Sequence, residues 1–323
     1  MSRSRRDRAP DAVKKRPSDL RGLLRDASGR LRTGIRLAVA LVLELLTSLL
    51  LRTGLNRLFA ALFRAWNVRA GNVALAPRWA RIVYAWHGSM ISLLVSAALL
   101  ALAVALRRWW MGGREAVKPS GAPALRRALA GWMVGTLAAL VSAAVFLCSD
   151  SLRMEADPGI PERLPGMALL WGLSLCTVLS EEMFTRRVLY DGLREGWGVV
   201  PATAVSAAVF FFWNGGYAGN AVSAINVALL GVVCVLVYEK YGLWASTSLR
   251  WGWSFATVFL LGQGGGPHAA VRLYAVSESL LTGGDAGFVY GLWMTLLLLV
   301  ALAWLLRRHL RKGFRGRGGR AFL

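Results

Sequence analysis

Two adjacent carboxylates, Glu181 and Glu182, follow an uncharged run from Gly166 to Ser180 (GMALLWGLSLCTVLS), and Arg186 and Arg187 come after them. An ionisable side chain at membrane depth costs at least a few kcal/mol, so it ordinarily faces a bundle interior and marks a functional site. On a helix, Glu182 and Arg186 stand at i and i+4, in the acid-before-base order that favours pairing along one face. Glu181 points about 100° away from Glu182 and is left to face something else. One glutamate held by arginine beside one that is free suits carboxylate chemistry inside a membrane. Three more polar side chains recur in apolar helices further on. Asn214 ends the run VFFFWN, and Arg250 and Ser254 stand at i and i+4 in LRWGWSF, after Glu239 and Lys240 have closed the helix between. A lone arginine at that depth needs an anionic partner or a water-filled cavity, and the Glu181/Glu182 pair is the partner nearest to hand. Two readings stay open: a structural ion pair that fixes helix packing, or a polar pocket that does chemistry.

The elements that carry these residues follow from composition. The chain has 323 residues, of which 56% are hydrophobic and 17% charged, with a mean hydropathy of +0.48. That is too apolar for an ordinary soluble domain and fits an all-α, polytopic integral membrane bundle. The net charge of +22 lies mostly in the first 36 residues, between Arg107 and Arg127, and from Arg307 to Arg320. Basic flanks beside apolar spans follow the positive-inside rule and argue for anionic headgroups, not nucleic acid, as the partner of these segments. No small-residue cleavage site follows the first apolar run, so the basic leader is not expected to be a secretory signal. Cys148, Cys176 and Cys234 lie in apolar segments without short pairing and read as small buried side chains. His87, His268 and His309 are scattered and no HExxH occurs, so neither a metal nor any other cofactor is expected.

Residues 1–34 read as a basic, disordered or surface-lying cytoplasmic arm, and 307–323 as a basic cytoplasmic tail. A short first span over 37–51 is interrupted by Glu44, and the arginine-dotted stretch 55–81 suggests an interfacial helix. Clearer spans follow at 82–106, 128–148, 166–190, 200–218, 221–239, 243–262 and 287–306, which with the first makes eight helices. The basic 107–127 segment belongs inside and the acidic 150–165 segment outside, which puts both termini in the cytoplasm. The arginine-rich 52–81 loop then falls outside, against the charge rule. Trp109, Trp110 and Trp304 sit beside arginines as interfacial anchors. The glycine-rich LGQGGGP at 261–267 lacks the GK[ST] of a phosphate loop and reads as a connection.

Taken in order, EEMFTRRVLYDGL, FFFWN and LWASTSLRWGWSF resemble the three motifs of the CPBP intramembrane endopeptidases, the family of the type II CAAX prenyl proteases and bacterial relatives. The family pattern is EExxxR, then FxxxH, then HxxxN, each on its own membrane helix. The resemblance covers 166–262 well and 263–306 loosely, where LLTGGDAGFVYG resembles a glycine-rich turn before the last helix. It implies N-terminal membrane helices with an interfacial segment over 35–165, a protease-like core over 166–262, and a loop with a last helix over 263–306. It also implies a bacterial cytoplasmic membrane and a membrane-associated protein or peptide substrate, including prenylated ones.

Carried over position by position, the resemblance makes Glu181 the base that activates a water, Glu182 its neighbour and Arg186 the arginine that orders the helix. The family's histidine of the second motif is Asn214 here, and its third-motif histidine and asparagine are Arg250 and Ser254. Asn214 can hydrogen-bond a water but cannot relay a proton near neutral pH, and losing a positioned acid–base group costs about 10²–10⁴ in rate. Arg250 could stabilise an oxyanion, yet the same cation beside Glu181 makes it a weaker base. The resemblance therefore implies either an endopeptidase with altered partners or a pseudoprotease that binds or protects a membrane partner. A transporter-like bundle is the third reading, but no repeated pair of interrupted spans supports it. The distance from the two carboxylates to the Arg250 guanidinium separates the cases. Direct contact favours an inert or structural site, and a gap of a water's width keeps hydrolysis open.

Overall fold

A computed structural model describes residues 31–68, 72–111, 122–156, 160–214, 220–262, 271–276, 280–283 and 287–317. Residues 1–30 of the basic arm, the 112–121 connection, most of the LGQGGGP run, His268 and the end of the basic tail lie outside the described residues. The chain is an all-α bundle with one small strand pair. Its helices are α1 (Thr33–Ala65), α2 (Arg78–Met111), α3 (Ala122–Cys148), α4 (Ile160–Glu182), α5 (Asp191–Trp197), α6 (Val199–Asn214), α7 (Ala221–Tyr241), α8 (Leu243–Ser254) and α9 (Leu292–Arg317). Wider π-type turns extend α4 through Met183–Tyr190 and α8 through Phe255–Leu260.

Four of these helices, in α1, α2, α3 and α7, are long and apolar enough to cross a membrane. Each of the other expected spans is helical too: α6 is a shorter apolar helix, and α4 and α8 give way to π-type turns at their charged ends. Tyr241 and Leu243 flank a reversal made in one residue, Gly242, whose φ of 88° is a conformation that costs a side chain-bearing residue strain. Its N–H still closes α7 by donating to the Tyr238 carbonyl at 2.8 Å.

The first hairpin differs from the expectation. No separate interfacial helix covers 55–81. α1 runs on through 55–65, a single 3₁₀ turn spans Val73–Leu75, and α2 begins at Arg78. The reason is a second apolar face: Phe59 and Phe63 are buried against Val68 of the connection and Ala80, Ile91 and Val95 of α2. With 33 residues, α1 is about 50 Å long, against a hydrocarbon core of about 30 Å. The arginines of 52–81 therefore ride on the part of the hairpin that extends past the apolar stretch.

The acidic 150–165 segment and the 263–286 segment, both expected to be simple connections, contribute β1 (Leu152–Ala156) and β2 (Val271–Ala275). They pair antiparallel, with Leu152 opposite Ala275 and Ala156 opposite Val271. At the opposite end of the bundle, Arg107 meets Asp191 at 2.9 Å and Tyr238 donates to Asp191 at 2.7 Å. The ends of α2, α5 and α7 thus gather on one face, and the ends of α3 and α8 on the other, as an alternating path requires.

The tightest packing joins α3 to α8. Gly131 and Gly135 form a GxxxG stripe, and a Cβ at either would collide with the carbonyl oxygen of Ala245 or Leu249. Gly252 answers from α8, lying against the Trp132 backbone, and Thr136 donates to the Gly252 carbonyl at 3.1 Å. Small residues let helix backbones approach where lipid offers no hydrophobic drive. We expect Gly135→Leu to lower stability in detergent by about 1–3 kcal/mol or more, while Gly172→Leu, at a position with open space around it, leaves it unchanged. Thermal unfolding of the two purified variants checks this.

Candidate functional site

Glu182 is the last residue of α4 before the helix widens, and Arg186 lies one turn on, inside the π-type turn. Arg250 and Ser254 close α8 immediately before its own π-type turn. Both site helices therefore loosen just beyond their charged residues, a distortion often found at functional sites. Trp251, next to Arg250, stacks on Trp171 of α4 with centroids 4.5 Å apart and planes 4° apart. Its indole N–H also donates to the Trp171 carbonyl at 3.1 Å. This pair sets the spacing between α4 and α8.

At that spacing Arg250 reaches both glutamates. Its Nη2 donates to Glu181 Oε2 at 2.6 Å and its Nη1 to Glu182 Oε1 at 3.1 Å. Glu182 is completely buried, and its other oxygen accepts from Arg186 Nε at 3.4 Å and from the Ser246 hydroxyl. Both oxygens of Glu182 are thus occupied by donors, two of them cationic. Arg186, also fully buried, donates through Nη1 to Ser206 at 2.8 Å, and Ser206 in turn donates its hydroxyl to the Thr185 carbonyl at 2.7 Å. The guanidinium carbons of Arg186 and Arg250 lie 5.3 and 4.6 Å from the ring centroid of Phe210, a cation–π arrangement that strengthens away from water.

Asn214 sits four residues after Phe210, at the end of α6. Its amide donates to the Phe210 carbonyl at 3.1 Å, so that donor is spent on its own helix. Asn214, Arg250 and Ser254 line one cavity of about 350 Å³, walled mainly by apolar side chains such as Trp253, Met294 and Leu298. Neither Glu181 nor Glu182 lines it. Arg250 therefore stands between the cavity and the two carboxylates. The six residues singled out from the motifs are brought together, but in two compartments joined by one guanidinium.

His87 is far from this cluster, among the rings of Phe59, Phe63 and Tyr84 on the α1–α2 hairpin. His268 and the side chain of His309 lie outside the described residues. Sequence reasoning missed Ser246 and Ser206. Each was findable, since Ser246 stands four residues before Arg250 and Ser206 four before Phe210, on the faces the motifs had already marked. It also treated Glu44 only as an interruption of the first span, whereas that side chain is turned inward and buried.

With the geometry in hand, comparison with known families adds one result. Residues 163–256 match the family described as type II CAAX prenyl endopeptidase, Rce1-like. The segment that holds all six site residues is therefore Rce1-like, in agreement with the CPBP resemblance, and this match together with the apolar helices points to an integral membrane protein. No curated protein and no solved structure matches the chain.

The ion cluster makes a stability prediction. Removing Arg250 leaves two buried or half-buried carboxylates with one cation, and breaking such a pair costs about 3–5 kcal/mol. We expect Arg250→Ala to lose stability on that order, and Arg250→Ala combined with Glu181→Gln to recover part of it. Thermal unfolding of the single and double variants in one detergent measures the coupling.

Proposed function

We propose that this protein is a non-hydrolytic relative of the type II CAAX prenyl endopeptidases, holding a membrane-embedded protein partner without cutting it. The observation that carries the reading is the direct contact of Arg250 with both glutamates. A general base must reach the proton of a water that is also in line with the scissile carbonyl. Here the guanidinium fills the space between Glu181 and the cavity, and Asn214, at the family's histidine position, has no proton to relay. The cavity's apolar walls suit side chains of a membrane-embedded partner. We read the chain as an eight-span bundle of a bacterial cytoplasmic membrane, with both basic termini on the cytoplasmic side near anionic headgroups.

One observation favours the second reading, a glutamate-based intramembrane endopeptidase. The Glu181 side chain keeps 26% of its surface exposed, and Arg250 takes only its Oε2, so a water could still approach the other oxygen. Purified protein in liposomes, incubated with prenylated and transmembrane peptides, separates the two. We expect no cleavage by the unmodified protein. The combined substitutions Asn214→His, Arg250→His and Ser254→Asn restore the family's groups and are expected to raise cleavage above background. Cleavage by the unmodified protein that disappears with Glu181→Gln would replace this proposal with the endopeptidase.

A further inference from the structure

The first helix brings a third carboxylate to the cluster. Glu44 stands midway between Leu37 and Leu51, about 10 Å of helix from either end of the apolar stretch. Its neighbours Leu43 and Leu45 are 39% and 56% exposed, but Glu44 itself is 3% exposed. It lies one turn beyond Ala40, which is fully buried in the core built around α2 and the α4–α5 segment. Turned to that side, Glu44 faces the cluster in which Ala40 packs with Met183 and Phe184, the residues that follow Glu181 and Glu182. Its Oε2 is buried and has no donor.

Among the described residues, the cations that pair with Glu181 and Glu182 are Arg186 and Arg250, and Glu44 adds a third carboxylate. Both cations are committed: Arg186 to Glu182 and Ser206, and Arg250 to Glu181 and Glu182. A lone carboxylate at mid-depth, beside another carboxylate, is expensive unless a proton or a cation joins it. A way in exists at Glu181, which is partly exposed and offers the oxygen that Arg250 leaves free.

We propose that Glu44 and Glu181 together form a binding site for a cationic group, an ammonium or guanidinium carried at mid-membrane depth by a partner's transmembrane segment. The inference rests on the reading of this chain as a binding protein and names the charge its partner presents. A basic residue in a lipid-embedded helix has the complementary need, since it too must find a counter-charge inside the bilayer. The two unmatched groups neutralise each other, and that exchange would discriminate such a helix from an apolar one.

The test uses the full chain in liposomes, with a fluorophore on the protein and an acceptor on one of two transmembrane peptides. The peptides share a leucine-rich sequence and differ in one central residue, lysine or leucine. We expect the lysine peptide to associate at least about tenfold more tightly than the leucine peptide. Glu44→Gln should erase that difference without lowering thermal stability, because it replaces a buried carboxyl whose Oε2 has no partner, and Glu44→Asp should keep part of it. Equal association of both peptides with the unmodified protein would overturn the cation site and leave the binding-protein reading in place. A preference for lysine that survives Glu44→Gln would overturn it as well. Cleavage of either peptide would instead show up as product and count against the reading on which the inference rests.

Discussion

Consecutive residues on a helix point about 100° apart, and this constraint governs the centre of the molecule. One arginine four residues on can serve Glu182, but it cannot also serve Glu181. At membrane depth the second charge has to be met from another helix, and α8 meets it with Arg250. The bridge between Glu181 and Glu182 works only if α8 is held at one depth and rotation against α4. The Trp171–Trp251 stack supplies that on one side of α8, and the glycine stripe of α3 on another. Much of the helix packing can be read as the means of keeping one guanidinium in register with two carboxylates.

The same geometry explains how a protease-like segment can change its task through a few substitutions. A neutral imidazole near a glutamate leaves the acid free to take a proton. A guanidinium in its place forms charge-assisted hydrogen bonds with fixed directions and cannot give up its proton. Under the proposed reading, the site serves charge storage in place of proton traffic, on a backbone framework that includes the two π-type turns. The hydroxyls of Ser246 and Ser206 complete the framework, one donating to Glu182 and the other accepting from Arg186 Nη1.

Much of this was legible in the sequence. The helical segments were visible as long apolar runs, and the order EExxxR, FFFWN, LRWGWS led to the residues that meet in space. Expensive side chains in apolar surroundings are few, so each one is informative. What stayed hidden depended on tertiary contact. The length of α1 is set by Phe59 and Phe63 finding partners on α2, which the arginines around them disguised. LRMEA and VRLYA are too short for their alternation to stand out, and they become strands only by meeting each other across more than a hundred residues. The inward turn of Glu44 follows from which face of α1 carries Ala40, and a run that is apolar all round gives no sign of it.

The strand pair has a mechanical consequence. β1 follows α3, and β2 follows the π-type turn of α8, so their ladder joins the two connections at one end of the most tightly packed helix pair in the bundle. Helices tied at one end can part only at the other. Any parting of α3 from α8 would therefore pivot at the strands, least near Thr257 and greatest near Gly131.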